Sequence, residues 1–316
     1  MKNVSAFRMK TRQTGTPARP GNDGATIDAS SLTPDLGKMT LEPGLYVTAT
    51  PIGNLKDVTY RAVEALKAAD RIYCEDTRQT AKLCAAYDVR TPRAAYTEHN
   101  AAKVEPEIIA ALKEGAAICL VSDAGTPLIS DPGQRLVSAA LNAGIRVFPL
   151  PGPNAAIAAL SAAGAPTERF VFAGFPPARS EARAAFFRSI ADVDATLVFY
   201  EGPSRLGESL SAMAAAFGDR RAVVARELTK IHEEFDAGLL SSLALKYRGR
   251  PTRGEIVVIV DPPAEKPAAS ADEIDAFLRR ALATMSVKDA AAAAADALSA
   301  PRKTAYERAI ALKSGE

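Results

Sequence analysis

Residues 45–74 read LYVTATPIGNLKDVTYRAVEALKAADRIYC, and the architecture of the chain depends on how this stretch is parsed. Leu45–Thr50 is a short run of β-branched and aromatic residues, broken by Pro51 and Gly53. From Asp57 to Ala69 the apolar residues recur three and four apart, the period of an amphipathic helix. Arg71–Cys74 then returns to a strand-like run. A strand, a crossover helix and a second strand in so short a stretch is a βαβ unit, which sets its two strands parallel.

The alternation continues outward. Helices are expected over Thr77–Ala86, Lys103–Lys113, Gln134–Ala143 and Ala155–Ala163, and strands over Ala94–Tyr96, Ala117–Ser122 and Arg146–Leu150. Such a chain forms a mostly parallel sheet covered on both faces, with a first α/β domain over residues 40–165. Residues 166–262 form a second. Its strands are expected at Phe170–Phe175, Thr196–Tyr200, Ala222–Arg226, His232–Asp236 and Glu255–Val260, and its helices at Glu181–Ala191, Ser204–Phe217 and Leu239–Lys246. Pairing of the runs Glu233–Asp236 and Glu255–Val260 would make this sheet mixed. Pro262–Ala269 (PPAEKPAA) reads as a linker. Residues 270–316 hold three helical patterns, Asp272–Thr284, Val287–Leu298 and Lys303–Leu312, with Ser286 as an N-cap and a break at Pro301. Helix–turn–helix is one reading of this tail, and a plain helical appendage the other. Residues 1–39, rich in Thr, Ser, Gly and Pro, read as a disordered extension.

Composition excludes several classes of protein. The chain has 316 residues, a formal charge of +2, two His, three Cys and no Trp. Near-balanced charge excludes a globally basic nucleic-acid binder but leaves room for local patches. Cys74, Cys84 and Cys119 have no CxxC spacing, so neither a metal site nor a disulfide framework is expected. No apolar stretch approaches a membrane span, and the first residues lack the apolar centre of a signal peptide, which together point to the cytoplasm.

Three Pro/Gly turns each close an expected strand: residues 49–55 (ATPIGNL), 122–133 (SDAGTPLISDPG) and 149–156 (PLPGPNAA). Ligands of open α/β sheets bind at that end of the strands. Glycine lets a backbone approach a ligand closely and proline keeps the corner rigid. None of the turns carries GxxxxGK[ST] or GxGxxG, which disfavours a P-loop and the usual dinucleotide fingerprint. Further polar clusters close other strands: Glu75-Asp76-Thr77-Arg78, residues 96–100 with His99, Tyr200–Arg205, and Arg226-Glu227-Leu228-Thr229-Lys230.

Taken together, residues 45–80 with VSDAGTPLISDPG, PLPGPNAAIAAL, FAGFPP, FYEGPSRL, ARELTKIHEE and GEIVVIV resemble the tetrapyrrole methylase superfamily, the class III S-adenosyl-L-methionine-dependent methyltransferases. ATPIGNL stands where the tetrapyrrole enzymes carry GxGPG, and in this it is similar to the superfamily's ribosomal RNA branch. The resemblance implies two α/β domains with the methyl donor in the cleft between them, plus a small helical tail. On the three turns it implies donor contacts from Pro51, Ile52 and Gly53, from Asp123, Ala124, Gly125, Thr126 and Ser130, and from Pro151, Pro153, Asn154 and Ala155. Tyr200 and Arg226 are the candidates from the second domain. The ribosomal branch methylates the ribose 2′-hydroxyl of a cytidine in the decoding region of 16S rRNA within the 30S subunit, and many members are homodimers.

A ribose hydroxyl is a weak nucleophile, so a group that accepts its proton is needed. Glu75, Asp76, Glu227 and Lys230 are the candidates, and the Glu75-Asp76 pair is favoured, with Arg78 holding RNA or orienting the acids. The basic patches open to RNA are local: Lys246, Arg248, Arg250 and Arg253; Arg220 and Arg221; Lys288, Arg302 and Lys303. A tetrapyrrole C-methyltransferase and a non-catalytic ribosome-assembly factor are the competing readings.

Overall fold

The computed structural model describes residues 40–264, 269–298 and 300–314. The expected disorder of residues 1–39, and part of the expected linker at 262–269, lie outside the described residues. The first sheet contains β1 (Gly44–Thr48), β2 (Arg71–Cys74), β3 (Arg93–Ala95), β4 (Ala117–Val121) and β5 (Val147–Leu150), in the order β3-β2-β4-β1-β5. Every pairing in it is parallel. The two central strands, GLYVT and AICLV, are almost wholly buried, as strands covered on both faces must be. Pro149 lies in β5 at the sheet's edge, where a strand tolerates a residue with no amide to donate.

The intervening helices are α1 (Tyr60–Ala68), α2 (Thr77–Ala86), α3 (Ala101–Lys113), α4 (Gln134–Asn142) and α5 (Ala155–Ala162). Their starts follow from short polar side chains. Thr59 accepts the amide of Ala62, Asp76 that of Arg78, and Asn154 that of Ile157, each satisfying a donor that the first helical turn leaves free. The connection leaving β1 runs one way across the sheet to β2, and the connection leaving the adjacent β4 runs the other way to β5. This reversal is the switch point at which open α/β sheets open a crevice.

The second sheet has the order β6-β7-β10-β8-β9, built from Phe170–Phe172, Thr196–Glu201, Ile256–Val260, Arg221–Arg226 and Glu234–Leu239 in that order. Its β6–β7 pair is parallel and the other pairs are antiparallel. The mixed sheet is therefore present, but the expected pairing of residues 233–236 with 255–260 is not. β9 pairs with β8, while β10 lies between β7 and β8. The sequences give the reason: IVVIV is buried at all five positions and needs a neighbour on each side, whereas EFDAGL alternates half-buried with exposed and suits an edge.

Helices α6 (Ser180–Ser189), α7 (Leu206–Phe217) and α8 (Leu240–Tyr247) cover one face of this sheet. Phe187 meets Phe199 and Phe217 edge-on with ring centroids 5.5 Å apart, a geometry worth about 0.5–1.5 kcal/mol per pair beyond burial. On the opposite face, Ala156, Ala159 and Leu160 of α5 pack with Ile52 against Val198, Val223, Val257 and Ile259. The small residues of α5 let its backbone approach the sheet. This shared core joins the two sheets and fixes the crevice between them.

The tail forms α9 (Ala271–Ala281), α10 (Val287–Leu298) and α11 (Arg302–Ser314). A capping box of Ser270 and Glu273 starts α9, and Ser286 accepts the amide of Asp289. Buried alanines of α10 and α11 pack with Ile274 and Leu278, and Arg308 holds Asp275 through two hydrogen bonds of 2.6 and 2.8 Å. No described helix is long and apolar enough to cross a membrane.

Candidate active site

The three Pro/Gly turns meet. Beyond the ends of β1 and β4, the amide of Thr50 donates to the carbonyl of Gly125 at 2.8 Å, and the amide of Gly125 donates back at 3.0 Å. The Thr126 hydroxyl donates to the Pro153 carbonyl at 2.9 Å, tying the second turn to the third. Gly125 has φ +84°, and a Cβ there would stand 3.2 Å from Ile52 Cγ2 and 3.6 Å from the Pro153 oxygen. A side chain at this position would be strained, would press on Ile52 and would touch the third turn.

Two cavities adjoin the corner. The larger, about 380 Å³, has apolar walls from Ile52, Ile129, Leu228 and Val257, an aromatic side of Phe175 and Tyr200, and acidic residues Asp123, Asp131 and Glu255 in its lining. The smaller, about 300 Å³, lies over Thr50–Gly53 and is rimmed by Gln79, Lys82 and Lys230. Ile52, Asp123, Ala124 and Glu255 line both. The larger falls within the usual size of a small-molecule site, apolar with a few polar groups.

Most of the expected donor contacts are brought together here. Ile52, Asp123, Ala124, Gly125, Thr126, Ser130, Asn154, Ala155 and Tyr200 line the larger cavity, and Pro51 and Gly53 the smaller. Pro153 contributes its carbonyl to the corner. Pro151 is exposed and lines neither. Arg226 points elsewhere, donating to Glu234 at 3.1 and 2.7 Å, and it lines a separate small cavity.

The expected proton acceptors differ in environment. Asp76 caps α2, and three side-chain bonds from Arg78 hold its carboxyl down at about 2. Arg78 is itself largely exposed. Glu75 is pushed above the usual carboxylate range by burial and then by Asp123, Glu98 and Asp76. Glu227 is lowered, chiefly by the Lys230 ammonium that donates to it at 2.9 Å. Burial pulls Lys230 down, but its bonds to Glu227 and Glu255 outweigh that and leave it raised. Lys230 lies over Gly53, where a Cβ would come within 2.7 Å of its Cγ. His99 is exposed in the turn before α3.

Asp131, which stands in the sequence as one residue of the second turn, is a strongly perturbed carboxyl of the larger cavity. Burial first, then the charges of Glu75 and Asp123, push it up to about 7. Ile129, Phe175 and Glu255 also line that cavity, while Glu201 and Leu228 belong to the polar clusters that close β7 and β8. The one signal available for Asp131 was its place in the SDPG corner beside Ser130. For Glu201 and Phe175 it was their position closing strands that end in Pro/Gly turns.

The sequence and the fold are similar to those of known proteins. A family model described as Tetrapyrrole (Corrin/Porphyrin) Methylases matches residues 44–244, more than half of the chain. Among solved structures, diphthine synthase is similar with a TM-score of 0.56 at 16% identity, covering 69% of this chain and 89% of that one. The cobalamin biosynthetic enzyme cobalt precorrin-4 methyltransferase is similar with a TM-score of 0.54 at 16% identity, covering 69% and 94%. At such identities these two speak to the fold alone. The chain belongs to the tetrapyrrole methylase family.

Within that family it stands with one group of enzymes. Ribosomal RNA small subunit methyltransferase I of Mesorhizobium japonicum is 49% identical over 280 residues, covering 87% of this chain and 95% of the relative. Its namesake in Escherichia coli O157:H7 is 43% identical, covering 84% and 94%. A second family model, described as the RsmI C-terminal HTH domain, matches residues 268–313. The chain is a member of the ribosomal RNA small subunit methyltransferase I group.

Proposed function

We propose that this protein transfers the methyl group of S-adenosyl-L-methionine to the ribose 2′-hydroxyl of a cytidine in 16S rRNA. We place its target in the decoding region of the 30S subunit, and we take the enzyme to work in the cytoplasm as a homodimer. The Mesorhizobium and Escherichia relatives, matched over 95% and 94% of their own length, bear the ribosomal name, so the tetrapyrrole alternative is not favoured. The observation that carries the reading is the Thr50–Gly125–Pro153 corner, with an acidic, apolar-walled cavity beside it.

The residues present fit such a donor. Gly125 leaves the corner free of a side chain, the walls suit an adenine ring and a methylene chain, and Asp123 suits a cation. S-adenosyl-L-methionine supplies a methyl group on a positively charged sulfonium, and that charge is lost as the methyl leaves. Alignment then matters most, and proximity in a well-oriented site is worth about 7–11 kcal/mol. The amides that lace the three turns hold the cavity walls in place before any ligand arrives. The larger cavity is assigned to the donor together with the ribose hydroxyl that meets its methyl group beside Asp131, and the smaller, which shares Asp123 with it and is rimmed by Gln79, Lys82 and Lys230, to the rest of the acceptor nucleoside.

The proton acceptor is assigned to Asp131, with Glu75 as its neighbour, in place of the Glu75-Asp76 pair. Asp76 is held ionised by Arg78 at about 2 and is a weak base. Asp131, at about 7, exchanges a proton near neutral pH. Incubation with labelled donor and either 30S subunits, free 16S rRNA or a precorrin tests the reading. Label in RNA ribose is expected, and label in the precorrin alone defeats it.

A further inference from the structure

We propose that the groove between α6, α7 and the loop Arg248–Arg253 is a binding track for the RNA phosphodiester backbone, leading to the donor cavity. The inference rests on the ribosomal RNA reading above and extends it to a named surface. The groove encloses about 1060 Å³, and its lining includes Arg183, Arg248 and Arg250 with Ser180, Ser204 and Ser211. Glu208 is its one carboxylate, and that group is already engaged by Arg183 at 2.8 Å. Cations and hydroxyl donors with a single occupied acid describe a surface for an anion.

The arginine at its base is built in. The Arg183 side chain is only 4% exposed, and it is held by Glu208 and by the Ala178 carbonyl at 3.1 Å. Its Nε has no partner among the described residues. Both helices that border the groove begin there, α6 after Arg179 and α7 after Arg205, and neither start is capped by a side chain. Their first amides add donors to the same side. Gly207 allows the close fit, because a Cβ there would stand 2.6 Å from the Tyr247 carbonyl at the root of the loop.

The loop itself reads RGRPTR over residues 248–253. Its neighbours are neutralised: Lys246 pairs with Asp236 at 2.7 Å and Arg226 with Glu234 at 2.7 Å. Arg248, Arg250 and Arg253 are exposed and form no ion pair among the described residues. The planar fork of an arginine matches two oxygens of a phosphate. Position supplies the rest. Pro203 lines both the groove and the donor cavity, and Gly254, next to Arg253, lines the donor cavity from the other side. A backbone bound along the loop is thereby led toward the donor.

The test uses the full chain with Arg248, Arg250 and Arg253 all changed to Gln, alongside a triple Lys variant that keeps the charge. Donor affinity is measured by calorimetry, affinity for a 16S rRNA fragment across salt concentrations, and oligomeric state by sedimentation. The Gln variant is expected to keep donor affinity and lose tenfold or more in RNA affinity. Its slope of log Kd against log salt should flatten by about 2 to 3, one phosphate contact per arginine, while the Lys variant keeps the slope. Unchanged RNA affinity and slope overturn the proposal. So does a change of oligomeric state, which would make the face an interface between copies. If the unaltered protein methylates no ribosomal RNA yet binds RNA through these arginines, the groove stands and the target assignment falls. If it binds no RNA at all, both fall.

Discussion

Thr50 and Gly125, far apart in the chain, exchange backbone hydrogen bonds in both directions, at 2.8 and 3.0 Å. Each residue lies just beyond a central parallel strand, and the isolated bridge between them is antiparallel, so a separate tie joins the two segments where the parallel pairing stops. The corner that borders both cavities thus adjoins the most buried part of the first sheet, and its geometry is set by the fold.

Gly125→Ala is expected to weaken donor binding about tenfold. The residue sits at φ +84°, where a side chain costs about 1–2 kcal/mol, and the new methyl would press on Ile52. Calorimetric titration with S-adenosyl-L-methionine or its demethylated product checks this, and wild-type affinity would count against the corner as part of the donor site.

Asp131→Asn is expected to lower methyl transfer about 10²-fold with little effect on donor affinity, the usual scale for a proton acceptor. In the unaltered enzyme the rate should rise with pH through about 7, where Asp131 ionises, and in the variant that limb should flatten. An unchanged pH profile would remove Asp131 from the reaction.

The same carboxyl has a consequence for stability. Its folded value, about 7, lies above that of an unfolded aspartate, so the folded chain holds a proton that the unfolded chain releases. Stability from this group is present below the ordinary carboxylate range and is lost as pH rises toward and through 7. Asp131→Asn should therefore remove part of the decline, and its melting temperature should gain on wild type between about pH 4 and about pH 7, the window between the unfolded and folded values.

Arg205→Ala is expected to destabilise the second lobe. The Glu201 side chain is fully buried, accepts from the Ser209 hydroxyl and the Gly202 amide, and has Arg205 at 3.0 Å as its cation. Leaving a buried carboxylate without its cation costs about 3–5 kcal/mol, with the exposed part of Arg205 reducing that somewhat. Urea unfolding checks the loss, and adding Glu201→Gln should restore part of it.

Removal of residues 271–316 should weaken binding to the 30S subunit and leave donor affinity unchanged. The tail's apolar core is made from its own helices and the adjoining Ala269, separate from the clusters under the two sheets. Equal ribosome affinity with and without the tail would argue against its role as a contact.

How far the sequence could be read depended on the range of each interaction. The turns at 51, 125 and 153 announced themselves because proline and glycine act locally, and the parallel order of the first sheet follows from alternation. The value of Asp131 did not, since it comes from burial and from Glu75 and Asp123, which only the folded sheet brings near. Asp76 looked like an acid of the site and is also a helix cap tied to Arg78, a dual possibility that composition leaves open. Arg226 closes a strand like its neighbours, but its side chain crosses to β9, and the partner Glu234 was hidden by the mistaken pairing of β9 with β10.

The hydroxyl of Tyr200 accepts the amide of Ala156 at 3.3 Å, joining the second sheet to the first turn of α5. One rigid phenol thus acts as a gauge between the two halves at the foot of the cleft. The span across it is set by a ring of fixed length before anything enters. An incoming nucleoside meets a slot already cut to width, and little of its affinity is consumed in drawing the halves together.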